Sequence, residues 1–217
     1  MKFEAIIFDM DGVLIDTESY YAQYRADFFS QQQIDISHLT NRDFIGGNMK
    51  DLWPKILRES YTPKKAAQLQ TDYIAYKSLD PIPYETLLFP DVPLVLETLK
   101  KENYKIALAS SSAMKEINQV LDIHHLRSYF DELLSGNDFK VSKPNPAIYL
   151  AAMQKLGVQA TDSLIIEDSQ NGILAGKSAG ATVWAIEDTC FGMDQEKADC
   201  LIPNLTAILS KMKQGLI

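Results

Sequence analysis

The sequence predicts an α/β protein: a Rossmann-like, mostly parallel sheet with helices on both faces, plus an inserted α-helical segment. Three observations carry that prediction. Short β-rich runs recur along the chain, and helix-length amphipathic stretches separate the later ones. One long segment near the start has helical spacing throughout and no convincing strand. Alternating short strands and helices are the pattern of a parallel sheet covered on both sides.

The β-rich runs are FEAIIF at 3–8, KIALAS at 105–110, SLIIED at 163–168, ATVWAI at 181–186 and CLIP at 200–203, with FDELLS at 130–135 a further short strand. Between them, PLVLETLKKEN (93–103), MKEINQVLDI (114–123), PAIYLAAMQKLG (146–157) and NGILAGKSAG (171–180) read as helices. The distinct segment spans 16–82 and holds TESYYAQYRADFFSQQQ, NMKDLWPKILRES and TPKKAAQLQTDYIAYKSL. Thr62 before Pro63 suits a helix N-cap with proline in the first turn. The aromatic stripe Tyr20, Tyr21, Tyr24, Phe28 and Phe29 reads as a helix-packing face. The chain is then expected to return near PIPYETLLFPDV. This makes a discontinuous α/β core of 1–15 and 83–217, with 16–82 as a helical cap.

Composition narrows the function. The chain has 217 residues, 46% hydrophobic and 23% charged, with a net charge of -8. Such a charge repels polyanions, so nucleic acid is not an expected partner, whereas a small phosphorylated metabolite is compatible if a local cation offsets the field. No apolar stretch nears the ~20 residues of a membrane span. The N-terminal apolar run is too short and too acidic for a signal peptide. A cytoplasmic protein without a membrane partner is expected, a monomer, with a dimer as the alternative. Cys190 and Cys200 form no ligand pair or redox motif and read as reduced thiols. His38, His124 and His125 fall outside any ligand pattern.

In open α/β sheets, ligands bind beyond the carboxyl ends of the strands. Here those ends are polar. The first run leads into Asp9 and Asp11, the second into Ser110, Ser111 and Ser112, and the run at 163–168 into Glu167 and Asp168. Just before it comes KVSKPNP, which sets Lys143 between Ser142 and Pro144. Like charges about 4 Å apart repel by roughly 4 kcal/mol at an effective dielectric of 20. Such a cluster needs a cation, a proton or a helix terminus to be tolerated.

The four segments, in this order, resemble the haloacid dehalogenase superfamily of phosphotransferases, in particular its β-phosphoglucomutase-like branch with a helical cap after the first strand. The matching residues are D-x-D-G at 9–12, Ser110 of ALAS, Lys143 of SKP and EDSQNG at 167–172. The resemblance implies that Asp9 is a nucleophile forming an aspartyl-phosphate. Asp11 would protonate the leaving oxygen and then deprotonate the acceptor. Asp9, Glu167 and Asp168 make an oxygen-rich site suited to Mg²⁺, and by resemblance Asp11 adds a backbone carbonyl. Lys143 would balance charge and Ser110 donate to a phosphoryl oxygen. Gly12 would let the backbone turn beside the phosphate. Substrate contacts are expected from Gly12, Ser111 and Ser112, from Thr17 beside Asp16 and Glu18 where the cap begins, and from Gly46 and Lys50 in a cap loop.

Mg²⁺-dependent hydrolysis of a small phosphorylated metabolite, such as a sugar phosphate, is the expected activity. The alternatives are a β-phosphoglucomutase and, from another class, a catalytically silent binding protein. Carbon–halogen hydrolysis is disfavoured, because a halide needs no proton and Asp11 would have no use. Three positions depart from the mutase pattern. The cap loop reads Gly46-Gly47-Asn48-Met49-Lys50 with methionine in place of arginine. The serine-rich loop, where a lysine and an asparagine belong to that pattern, reads Ser112-Ala113-Met114, and Tyr21 replaces a histidine. Lys50, Lys115 or Arg25 stands close enough to substitute for the missing cations.

Overall fold

Each apolar run becomes a strand in the computed structural model: β1 (Ala5–Phe8), β2 (Lys105–Ser110), β3 (Glu132–Ser135), β4 (Ser163–Glu167), β5 (Thr182–Ile186) and β6 (Cys200–Ile202). They form one sheet in the order β3-β2-β1-β4-β5-β6, and all five pairings are parallel. Residues 3–79 and 81–215 are described. Met1, Lys2, Leu216 and Ile217, at the limits of the expected core, and Asp80, near the end of the expected cap, lie outside the described residues.

The helices are α1 (Glu18–Gln31), α2 (Met49–Leu57), α3 (Pro63–Leu79), α4 (Val92–Lys101), α5 (Met114–Ile123), α6 (Ala147–Leu156), α7 (Gln170–Ser178) and α8 (Thr206–Lys213). Helix α8 was not anticipated from the sequence pattern. Strand side chains alternate between two apolar layers, as a parallel sheet buried on both faces requires. Ile6, Phe8, Ile106, Leu108, Leu164 and Ile166 meet α4, α5 and α8. Ala5, Ile7, Ala107, Ala109, Ile165 and Val183 meet α6 and α7.

Helices α1–α3 enclose an apolar cluster of their own, built on Phe28, Phe29, Phe44, Trp53, Ile56, Leu69 and Tyr73. Phe28 meets Tyr73 edge-to-face at 5.1 Å between ring centroids. The Thr62 hydroxyl accepts from the Lys65 N–H at 3.2 Å at the start of α3. The aromatic stripe of α1 divides, contrary to the reading of one packing face. Tyr24, Phe28 and Phe29 are buried, Tyr20 is exposed, and Tyr21 lines a cavity. A helix at the junction of two packed bodies has more than one buried side.

The strand order reverses at β1, with β2 on one flank and β4 on the other. The carboxyl ends of these three strands therefore converge, which is where an open α/β sheet forms its crevice.

Candidate active site

Asp9 is the first residue after β1, and its N–H donates to the Ile166 carbonyl of β4 at 2.9 Å. The chain then turns sharply: the Gly12 N–H donates to the Ile15 carbonyl at 2.8 Å, and Gly12 has φ +75°. A Cβ on Gly12 would fall 2.1 Å from Asp168 Oδ2. Glycine here serves both the turn and the close approach of β4's end.

Lys143 reaches this point from the loop before α6. Its Nζ donates to Asp9 Oδ1 at 2.9 Å, to Glu167 Oε1 at 2.7 Å and to the Ala109 carbonyl at 3.0 Å. All three ammonium hydrogens are thus used, in a position 4% exposed. Glu167 is fully engaged as well. Its Oε1 also accepts from the Tyr149 hydroxyl, and its Oε2 accepts from the N–H groups of Asp168 and Ser169 and from the Ser169 hydroxyl. Ser169 in turn caps α7 by accepting from the Gly172 N–H at 3.1 Å.

Burial pushes Asp9 up to about 8, with Glu167 and Asp11 adding repulsion and Lys143 opposing them. Burial, with Glu167 and Asp9 beside it, also raises Asp168 well above the carboxylate range. Burial would raise Glu167 too, but the Lys143 ammonium outweighs it and holds Glu167 low. With all three carboxylates ionised, one lysine leaves an excess of negative charge. Asp9, Glu167 and Asp168 each place an oxygen within 4.8 Å of the others. Hard oxygen donors with surplus negative charge fit a divalent cation such as Mg²⁺.

Asp11 points elsewhere. Its carboxylate accepts from the Thr17 hydroxyl, and from Ser112 Oγ at 2.7 Å, while Ser110 Oγ lies 3.4 Å away. Burial raises its pKa and the hydroxyls of Thr17 and Ser112 pull against that. A cavity of about 550 Å³ opens over Asp9, Asp11 and Asp168, between α1–α3 and the sheet. Ser111, Ser112 and Gly46 line it, but Ser110 and Lys50 do not. The Ser110 hydroxyl instead accepts from the Ser112 N–H at 3.0 Å. Lys50 Nζ donates to the carbonyls of Phe139, at 2.9 Å, and Gly136, at 3.4 Å. Thr17 is buried beneath Asp11, whereas Asp16 is exposed.

The 45–51 loop holds α1–α3 against the sheet. Asn48 Nδ2 donates to Asn137 Oδ1 at 2.7 Å and to the Ser111 carbonyl at 3.3 Å. The Gly46 carbonyl accepts from Ser111 Oγ, and the Ile45 carbonyl from Asn171 Nδ2. Lys77 of α3 pairs with Glu116 of α5 at 2.8 Å.

Sequence reasoning missed Tyr149 and Gln195. Tyr149 sits in an apolar helix, and its only signal was a hydroxyl among residues that otherwise need no partner. Gln195 Nε2 donates to the Asp168 carbonyl at 2.6 Å from a distant loop, which no local pattern announces. Arg25, one of the three cations named as substitutes, is 6% exposed and faces the cavity.

The chain has counterparts among known proteins. The model of the haloacid dehalogenase-like hydrolase family matches residues 6–186. The chain belongs to that family. Among its relatives, phosphoglycolate phosphatase of Aquifex aeolicus is 30% identical over 176 residues, covering 81% of this chain and 80% of that one. Hexitol phosphatase B of Escherichia coli is 32% identical over 179 residues, covering 81% and 79%. The crystal structure of β-phosphoglucomutase from Clostridium difficile superposes with a TM-score of 0.82 at 25% identity, covering 99% of both chains. This haloacid dehalogenase-like chain is accordingly an enzyme, a hydrolase or phosphotransferase. None of its described helices is long and apolar enough to cross a membrane.

Proposed function

We propose that this enzyme hydrolyses a small phosphorylated metabolite, of the sugar phosphate kind, through an aspartyl-phosphate on Asp9. The observation that carries the reading is the division of labour between two carboxylates two residues apart, Asp9 buried and Asp11 half-buried at the cavity. Asp9 is held by Lys143 among anionic groups, whereas Asp11 is held by the hydroxyls of Thr17 and Ser112. Residues 16–82 act as a cap that closes over the substrate.

In the first step an Asp9 carboxylate oxygen attacks phosphorus and the bond to the leaving oxygen breaks. Asp11 delivers its proton to that oxygen, so the alcohol leaves neutral. In the second step Asp11 takes a proton from water as the water oxygen attacks the phosphorus of the aspartyl-phosphate. Phosphate departs and Asp9 is restored. Lys143 keeps Asp9 oriented and offsets phosphoryl charge, and Glu167 and Tyr149 keep Lys143 in place. The side chains of Asp9 and Asp168 and the Asp11 carbonyl would hold Mg²⁺, since both Glu167 oxygens are already engaged. When bound, the ion supplies charge neutralisation and alignment of the phosphoryl group.

Hydrolysis is favoured over mutase chemistry by the cations of the cavity. A bisphosphate intermediate needs a second phosphate site, best made by an arginine fork. Met49, at the sequence position of that arginine, lines the cavity, and Lys50 is spent on carbonyls. Arg25 and Lys115 do line the cavity, but with Glu18 and Glu116 beside them. Two assays test the reading. Asp9→Asn should reduce turnover at least ~10³-fold with the fold intact, because an amide is a poor nucleophile. Incubation with β-glucose 1-phosphate and a trace of glucose 1,6-bisphosphate should release phosphate; accumulation of glucose 6-phosphate with little phosphate released would establish a mutase. EDTA should abolish activity reversibly.

A further inference from the structure

Glu18 and Arg25 stand seven residues apart on α1, on one face, and both line the cavity that holds Asp9 and Asp11. Each is more than nine-tenths buried, Glu18 at 7% exposure and Arg25 at 6%. Yet Glu18 Oε2 and Arg25 Nη2 have no hydrogen-bond partner among the described residues, so these two atoms do not satisfy each other. The Arg25 guanidinium rests 5.0 Å from the centre of the Phe44 ring, which fixes its position. Buried polar atoms are nearly always paired, and an orphaned donor beside an orphaned acceptor calls for an explanation.

The pair offers one charged donor and one charged acceptor with no net charge between them. A hydroxyl group both donates and accepts, so neighbouring hydroxyls satisfy both atoms at once. A second phosphate or a carboxylate on the substrate would gain from Arg25 but meet Glu18, in a cavity also lined by Asp11 and Asp168. We propose that Glu18 and Arg25 are specificity residues that bind the hydroxyl groups of a sugar or polyol monophosphate. Arg25 Nη2 donates to one hydroxyl oxygen and Glu18 Oε2 accepts from a hydroxyl. This rests on the hydrolase reading and narrows it to substrates that are uncharged apart from the reacting phosphate.

The test compares wild type, Glu18→Gln and Arg25→Met, each checked for folding by circular dichroism. Hexitol, aldohexose and pentose monophosphates are set against 2-phosphoglycolate, fructose 1,6-bisphosphate and acetyl phosphate. Wild type should favour a hydroxylated monophosphate over phosphoglycolate and the bisphosphate. In either variant the ratio of kcat/KM for that substrate over acetyl phosphate should fall about 10- to 100-fold, the worth of a hydrogen bond to a charged group. A wild-type preference for the carboxylate or the bisphosphate would overturn the proposal, as would an unchanged ratio in folded variants. Calorimetric binding to Asp9→Asn separates this from the hydrolase reading, because it needs no turnover. There, affinity for the hydroxylated monophosphate should weaken ~10-fold or more on adding Glu18→Gln or Arg25→Met, relative to inorganic phosphate. Equal weakening for both ligands, or none, would reject the assignment even if the enzyme proves to be a phosphatase.

Discussion

At Lys143, three ammonium hydrogens meet the Asp9 carboxylate, the Glu167 carboxylate and the Ala109 carbonyl with no exposure to spare. Removing one member of a buried ionic network costs more than the network contributes, about 3–5 kcal/mol, because the partners stay buried and unpaired. Glu18 illustrates the opposite balance. Burial, with Asp11 and Asp16 adding repulsion and Arg25 opposing them, lifts its pKa from 4.5 to about 7. A carboxyl whose pKa is higher in the folded chain than in the unfolded one holds its proton longer when folded. The cost of burying its charge is therefore absent below pH 4.5, grows as the pH rises, and is complete above about 7. By linkage that cost is roughly 3 kcal/mol at pH 8. Glu18→Gln should accordingly raise the melting temperature relative to wild type at pH 8 by more than at pH 5. Parallel thermal unfolding curves with the same offset at both pH values would contradict the assignment of Glu18 as a costly buried charge.

At the scale of elements, the start of α7 does two jobs. Its N-cap Ser169 holds the Gly172 N–H and the Glu167 carboxylate, and that carboxylate occupies the space above Gly172, where a Cβ would fall 1.8 Å from Glu167 Oε1. Glu167 cannot swing away, since it is fully buried and bonded through both oxygens. Gly172→Ala should therefore displace Glu167, loosen Lys143 and cost about 3 kcal/mol. That corresponds to a fall of ~6–12 °C in melting temperature for a chain of this size, with activity lost alongside. Differential scanning calorimetry and a phosphatase assay on the same sample would check both, and a variant with unchanged stability and rate would show that α7 yields more easily than its packing indicates.

At the scale of the whole molecule, two chain crossings join the proposed cap to the sheet, near 14–18 and 79–84. The outgoing and returning strands are tied together: the Asp16 N–H donates to the Leu87 carbonyl at 2.9 Å and the Phe89 N–H to the Leu14 carbonyl at 3.0 Å. That tie suits a hinge that bends without separating. The polar contacts of Asn48, Gly46 and Asn171 and the Lys77–Glu116 pair join the proposed cap to the sheet side. A cap that opens must break these contacts, and closure should follow ligand binding. Small-angle scattering should show a smaller radius of gyration with Mg²⁺ and trifluoroberyllate than without them, accompanied by a higher melting temperature. Superimposable profiles would mean that the cap does not open in solution.

Local information was enough for much of this protein. Short β-rich runs marked all six strands, and polar residues at the ends of β1, β2 and β4 marked the crevice, because a buried strand tolerates charge only where it leaves the sheet. Asp9, Asp11, Glu167 and Asp168 were legible for that reason, and Lys143 only through the resemblance of the SKP segment to a family motif. Tertiary structure alone decided the rest. Whether Glu167 offers a free oxygen depends on Tyr149 and Ser169, which approach it from two different helices. Whether Lys50 serves a ligand depends on the carbonyls of Gly136 and Phe139, more than eighty residues along the chain. The fate of Arg25 depends on which side of α1 meets the cavity, and that is set by how α1–α3 pack against the sheet. A hydrogen bond between distant segments leaves no trace in the pattern of either one, so the partners of a buried charge appear only when the chain is folded.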